Sequence, residues 1–101
     1  MEASFGEYIR KLRTQNGLTL TQLGAKLGID SGALSKIETG KKQFDEKCLK
    51  SLANTFNLDI QNLKVEYFSD LFAKKMYANN CPTETLIVAE KKVNYLKKQQ
   101  Y

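Results

Sequence analysis

The sequence predicts an all-α protein, five short helices followed by a helical hairpin. Three observations carry that expectation. A single proline, Pro82, stands in 101 residues, while apolar residues return at three- and four-residue steps along most of the chain. Cap residues and glycine or asparagine stops alternate at the distances that short helices need. The composition, 42% hydrophobic and 27% charged, is that of a globular domain able to bury a core.

Each element has its own reason. Phe5, Ile9 and Leu12 share one face of a first helix over about Ser4–Asn16, and Gly17 falls where a left-handed stop is cheapest. Thr19-Leu20-Thr21-Gln22 has the spacing of a capping box, so a second helix starts there and ends at Gly28, with Leu20, Leu23 and Leu27 inward. Asp30 can cap a third helix, Ser31–Thr39, whose apolar positions are Leu34 and Ile37 and which Gly40 stops. Lys41-Lys42-Gln43 reads as a polar basic loop. A fourth helix over roughly Asp45–Phe56 turns Leu49, Leu52, Ala53 and Phe56 inward. Asn57 suits a left-handed end, and Asp59 caps a fifth helix beginning with Ile60 and Leu63. Val65–Ala78 then forms an aromatic-rich arm with Val65, Phe68, Phe72 and Met76 as its stripe. Asn79-Asn80-Cys81-Pro82 breaks it. The last helix, about Pro82–Lys98, sets Leu86, Ala89, Val93 and Leu96 at the steps of a short a/d seam, before a Lys/Gln-rich end at Lys97–Gln100.

Charge and residue usage narrow the chemistry. Sixteen Lys and Arg against 11 Asp and Glu give a formal charge of +5, which suits a polyanionic partner. With no histidine, the commonest general base and metal ligand is missing. Cys48 and Cys81 stand far apart, so neither a metal site nor a disulfide scaffold is expected, and free thiols fit a reducing cytoplasm. There is no phosphate-binding glycine loop, dinucleotide fingerprint or paired-carboxylate arrangement, so no enzyme, cofactor or metal is expected. The longest apolar run, Leu86–Ala89, is far short of the roughly 20 residues of a spanning helix. With Glu2 and Glu7 in a mixed N-terminus there is no apolar signal core. The expectation is a soluble cytoplasmic protein that does not enter a membrane.

The informative window is Leu20–Thr39: helix, three-residue turn, helix. Two helices crossing at about 90–120° leave little room where they meet, and Gly24 stands there. Gly28 supplies the positive φ of the turn. Leu23, Leu27, Ile29, Leu34 and Ile37 fill the inner angle, which leaves the outer face of the third helix free.

This pattern, with Ile9-Arg10-Lys11-Leu12-Arg13 before it and Leu34-Ser35-Lys36-Ile37-Glu38-Thr39-Gly40-Lys41 at its end, resembles the helix-turn-helix of the phage repressor and Cro-like (XRE) transcriptional regulators. The likeness covers about Phe5–Leu63. It implies a repressor-like DNA-binding domain over residues 1–64 and leaves residues 65–101 as an extension. It also implies that the Ser31–Thr39 helix lies in the major groove of double-stranded DNA, with Ser31, Gly32, Ala33, Ser35 and Lys36 facing the bases. Members of the family often carry long amides at the start of this helix and of the preceding one; here Ser31, Gly32 and Leu20 stand there, so the bidentate adenine contacts of Asn or Gln are missing. Lys36 becomes the candidate for guanine, and Ala33 for a thymine methyl. Phosphates would meet Thr39, Lys41 and Lys42, the free N–H groups at Thr19 and Leu20, and Arg10. The resemblance further implies an ion pair between Arg13 and Glu38.

The functional expectation is a sequence-specific regulator acting as a homodimer on a palindromic operator. The hairpin stripes Val65/Phe68/Phe72/Met76 and Leu86/Ala89/Val93/Leu96 are the expected dimer surface. The alternatives are a restriction–modification controller protein, or an antitoxin-like module that uses the same scaffold to grip another protein.

Overall fold

The computed structural model describes residues 4–99; Glu2 of the N-terminal segment and Gln100 of the Lys/Gln-rich end lie outside them. The described residues are helical without a strand: α1 (Phe5–Gln15), α2 (Leu20–Leu27), α3 (Ser31–Glu38), a 3-10 turn (Glu46–Cys48), α4 (Leu49–Phe56), α5 (Ile60–Ala78) and α6 (Glu84–Lys98).

Starts and stops follow local chemistry. Ser4 caps α1 through Glu7 N–H. Thr19 and Gln22 form a complete capping box on α2, at 3.0 and 2.9 Å. The Asp30 carboxylate accepts from Gly32 and Ala33 at the start of α3. α1 to α5 each end on a left-handed residue, in turn Gly17, Gly28, Gly40, Asn57 and Asn80. The N–H one residue further on bonds back five residues to a helix carbonyl; Lys41 N to Lys36 O, at 2.8 Å, is one instance. This is the Schellman arrangement, and it satisfies carbonyls that the helix itself leaves open.

Two compact units result, Met1–Asp70 and Leu71–Tyr101. In the first, α1 packs on α3, and α2 on α3 and α4. Its core takes one fully buried residue from each of five helices: Ile9, Leu23, Leu34, Leu52 and Leu63, all at 0% exposure. Burying side chains of this size contributes about 1.5–3 kcal/mol each. Phe5, Leu27, Ile37, Phe44, Leu49, Ala53 and Tyr67 complete it. In the second unit, the end of α5 turns through the left-handed Asn80 into α6, which buries no residue. Cys48 is half-buried and Cys81 exposed, both as free thiols. Among the described residues no helix is long and apolar enough to cross a membrane.

Several expectations change. The fifth helix and the first arm of the hairpin are one 19-residue helix, because nothing between Leu63 and Val65 can stop a helix. The residue this helix sends into the core is Tyr67, four beyond Leu63 and thus on the same face, whereas Val65 is 66% exposed. The fourth helix opens as a 3-10 turn capped by Asp45 and becomes α-helical at Leu49. Pro82 stays outside α6: its carbonyl accepts from Thr85 in the turn leading to Glu84. Leu12, Leu20, Ile29 and Phe56 are half-buried rather than enclosed.

Candidate nucleic-acid interface

The candidate interface is built by fixing α3 from behind. Gly24 on α2 is the tight point. A Cβ there would fall onto the backbone carbonyl of Ile29 in the turn, so the constraint comes from the turn backbone, not from a side chain of the facing helix. Gly28 takes φ 71° one turn later, a conformation costly for residues with a Cβ.

The far end of α3 is held by α1 in two places. Gly6 sits so close that a Cβ would meet the carbonyl of Ile37, with the Glu38 carbonyl next at 3.0 Å. Arg13 then binds Glu38 through one edge of its guanidinium, Nε to Oε2 at 2.8 Å and an Nη to Oε1 at 3.0 Å. Its other Nη donates to the Leu18 carbonyl at 3.0 Å. The two side chains are only 14% and 4% exposed, so this is a sheltered bidentate pair rather than a surface one. The hydrogen bond to Glu38 raises the Arg13 pKa above its ordinary value, and burial acts against it. One pair thereby ties α1, the loop before α2 and α3 together.

With its back fixed, α3 presents a short-chained front. Gly32 and Lys36 are exposed, and Ser31, Ala33 and Ser35 half-exposed. Apart from Lys36 no large side chain stands among them, so a base edge could approach the first turns of the helix closely. Beyond α3 the chain folds back on it: the N–H groups of Lys41 and Lys42 both donate to the Lys36 carbonyl, at 2.8 and 3.2 Å. This gathers Lys36, Lys41 and Lys42 around one helix end with all three side chains exposed. Thr39 is less free than its position implied, because its hydroxyl donates to the carbonyls of Ser35 and Lys36, at 3.0 and 3.2 Å. The Thr19 backbone N–H is not free as expected, since it donates to the Gln22 side chain at 2.9 Å. Its hydroxyl accepts from Gln22 N–H and keeps its own proton to donate. Leu20 offers only its backbone N–H, and Arg10 is exposed on α1.

Two contributors escape sequence reasoning. Gly6 carries no periodic signal, and Phe44 follows a polar run yet is 2% exposed. Phe44 packs at 5.5 Å on Phe5 and 6.3 Å on Tyr67, anchoring the end of the lysine loop. The signal available for Phe44 was an isolated aromatic between two charged segments. Among the described residues no cluster of acidic or thiol groups could hold a metal ion.

This arrangement is a helix-turn-helix with an exposed second helix. The helix-turn-helix family model matches residues 9–63, and the chain belongs to that family, in its XRE form. Among curated proteins it is 32% identical over 82 residues to the HTH-type transcriptional repressor RghR of Bacillus subtilis, covering 77% of this chain and 61% of that protein. It is also 38% identical over 60 residues to the uncharacterized HTH-type transcriptional regulator RghRB of the same organism, covering 58% and 43%. The chain thus spans about two-fifths to three-fifths of the length of these relatives. No solved structure matches it.

Proposed function

We propose that this protein is a cytoplasmic, sequence-specific double-stranded-DNA-binding regulator of transcription that acts as a homodimer on a palindromic operator. The observation that carries the reading is the braced α3. Its small-residue face is free, and Lys36, Lys41 and Lys42 surround its end. In this proposal Ser31, Gly32, Ala33, Ser35 and Lys36 meet base edges in the major groove. Lys41 and Lys42, with Thr39, Arg10, the Thr19 hydroxyl and the Leu20 N–H, meet phosphates. Repression is the favoured outcome, since one relative is named a transcriptional repressor.

The homodimer rests on the second unit. Leu86, Ile87, Val93 and Leu96 on α6 are 48–58% exposed, with Phe72 of α5 at 54%. A second copy would cover them and set the spacing of two α3 helices. The same apolar surface favours a second reading, a module that grips another protein. A gel shift with genomic fragments at low salt separates the two. Retention of a distinct subset is expected; retention of no fragment overturns DNA binding in favour of the protein-partner reading.

A further inference from the structure

Tyr67 is the one tyrosine in the core of the first unit, at 5% exposure. Its ring packs edge-on against Phe5 at 5.1 Å and Phe68 at 5.0 Å, and a phenylalanine would fill that space equally well. The hydroxyl is what needs explaining, because a buried hydroxyl costs free energy unless its hydrogen bonds are made. Both of its bonds go to one place. It donates to the Phe44 carbonyl at 2.6 Å and accepts from the Gln43 side-chain amide at 3.2 Å. Gln43 and Phe44 directly follow Lys41 and Lys42.

The lysine loop is therefore held at both ends. At its start, the Lys41 and Lys42 amides are bonded to the Lys36 carbonyl of α3. At its finish, Phe44 is inserted in the core and the Tyr67 hydroxyl grips the backbone and side chain of two successive residues. Between these points the backbone has little freedom, while the lysine side chains remain exposed. A loop ordered beforehand loses less entropy when its lysines meet phosphate than one that must be ordered by the contact. From these observations we infer that Tyr67 is a positioning residue for phosphate binding: its hydroxyl presets the Lys41–Gln43 backbone, and so raises affinity for DNA of any sequence without touching DNA itself. This rests on the DNA-binding reading above.

The test uses the full chain and a short duplex of arbitrary sequence, with binding followed by fluorescence anisotropy at low salt. Tyr67→Phe keeps the ring and removes only the hydroxyl. It is expected to weaken binding about two- to tenfold, the range that one or two net hydrogen bonds can supply. Gln43→Ala, at an exposed position outside the core, should weaken it in the same direction and guards against a folding defect in Tyr67→Phe. The deciding comparison is the Lys41→Ala/Lys42→Ala background: there Tyr67→Phe should cost nothing more, because the lysines it positions are gone. Amide exchange at Lys41 and Lys42 should also speed up in Tyr67→Phe, a readout that needs no DNA. Unchanged exchange, unchanged affinity in both single variants, or an equal loss in the lysine-free background overturns the role of Tyr67. If the wild type fails to bind any duplex while exchange still responds, the DNA reading falls and the phosphate role falls with it.

Discussion

Glu38 shows how a single residue can be structural at an otherwise polar site. Its carboxylate is shielded, both oxygens bind Arg13, and Arg13 reaches on to the Leu18 carbonyl. Removing one partner strands the other's charge in a place water scarcely reaches, which costs more than the pair contributes. Glu38→Ala is therefore expected to lower unfolding free energy by about 3 kcal/mol, at the lower end for a buried pair because Arg13 keeps some solvent contact. Urea denaturation measures it, and a change under about 0.5 kcal/mol, as for an ordinary surface substitution, would contradict the bracing role. The glycines sort by the same local logic. Gly24→Ala pushes a methyl into the Ile29 carbonyl, which cannot move without opening the turn. Gly32→Ala meets only the Asp30 carboxylate at 3.1 Å, a side chain that can yield. The first should cost about 1–3 kcal/mol by overpacking. The second should leave the melting temperature nearly unchanged, since alanine also favours the helix. Equal melting curves for the two variants would mean that α2 and the turn are not packed this closely.

At the scale of elements, what could be read from the sequence was what local chemistry encodes. Caps at Thr19 and Asp30 and stops at Gly17, Gly28, Gly40 and Asn57 act within a few residues. α1 to α3 were therefore legible almost to their ends and α4 at its C-terminal end, whereas its start at Leu49 was missed by about one turn. Continuity of α5 was harder to see, because a change of texture after Leu63 looks like a boundary although no breaker stands there. Long-range contacts were least legible. Beyond its being an isolated aromatic between charged segments, nothing local says where Phe44 is buried, since its partners Phe5 and Tyr67 lie 39 and 23 residues away in the chain. Arg13 and Glu38, 25 residues apart, were pointed to only by the family resemblance. The functional division within α3 and its loop is testable at this scale. Lys36 projects from the helix proposed to read bases, so Lys36→Ala should cost about 1–3 kcal/mol on the cognate site and relax preference at one or two positions. Lys41 belongs to the proposed phosphate loop. Lys41→Ala should weaken cognate and arbitrary DNA alike, and flatten the dependence of log K on log salt by about one unit per subunit. Affinity measured across salt and a panel of single-base operator variants distinguishes the two. If both substitutions behaved alike, α3 would not be the base-reading element.

At the scale of the whole molecule, the question is what the second unit adds. The family match ends at residue 63, and among the described residues the buried apolar core lies in the first unit, which runs through Asp70. α6 by contrast leaves Leu86, Ile87, Val88, Val93, Tyr95 and Leu96 between 42 and 61% exposed. Single exposed apolar residues are ordinary, and Ile87, Val88 and Tyr95 lie on other sides of this 15-residue helix. Leu86, Ala89, Val93 and Leu96, however, recur at three- and four-residue steps and make one apolar stripe that water disfavours. One recognition helix reads only a few base pairs, whereas two related by a two-fold axis read half-sites about 34–36 Å apart. Covering α6 with its own copy would meet both needs at once. Leu86→Glu/Val93→Glu places charges on the seam where dimer formation would have to desolvate them, without altering any buried residue of the first unit. Sedimentation equilibrium should then show the wild type as a dimer and this variant as a monomer, with circular dichroism of unchanged helix content. Affinity for a palindromic operator should fall steeply in the variant, while weak binding to a half-site survives. A variant that still sediments as a dimer and binds the palindrome undiminished would remove α6 from the dimer interface, and another surface would then have to set the half-site spacing.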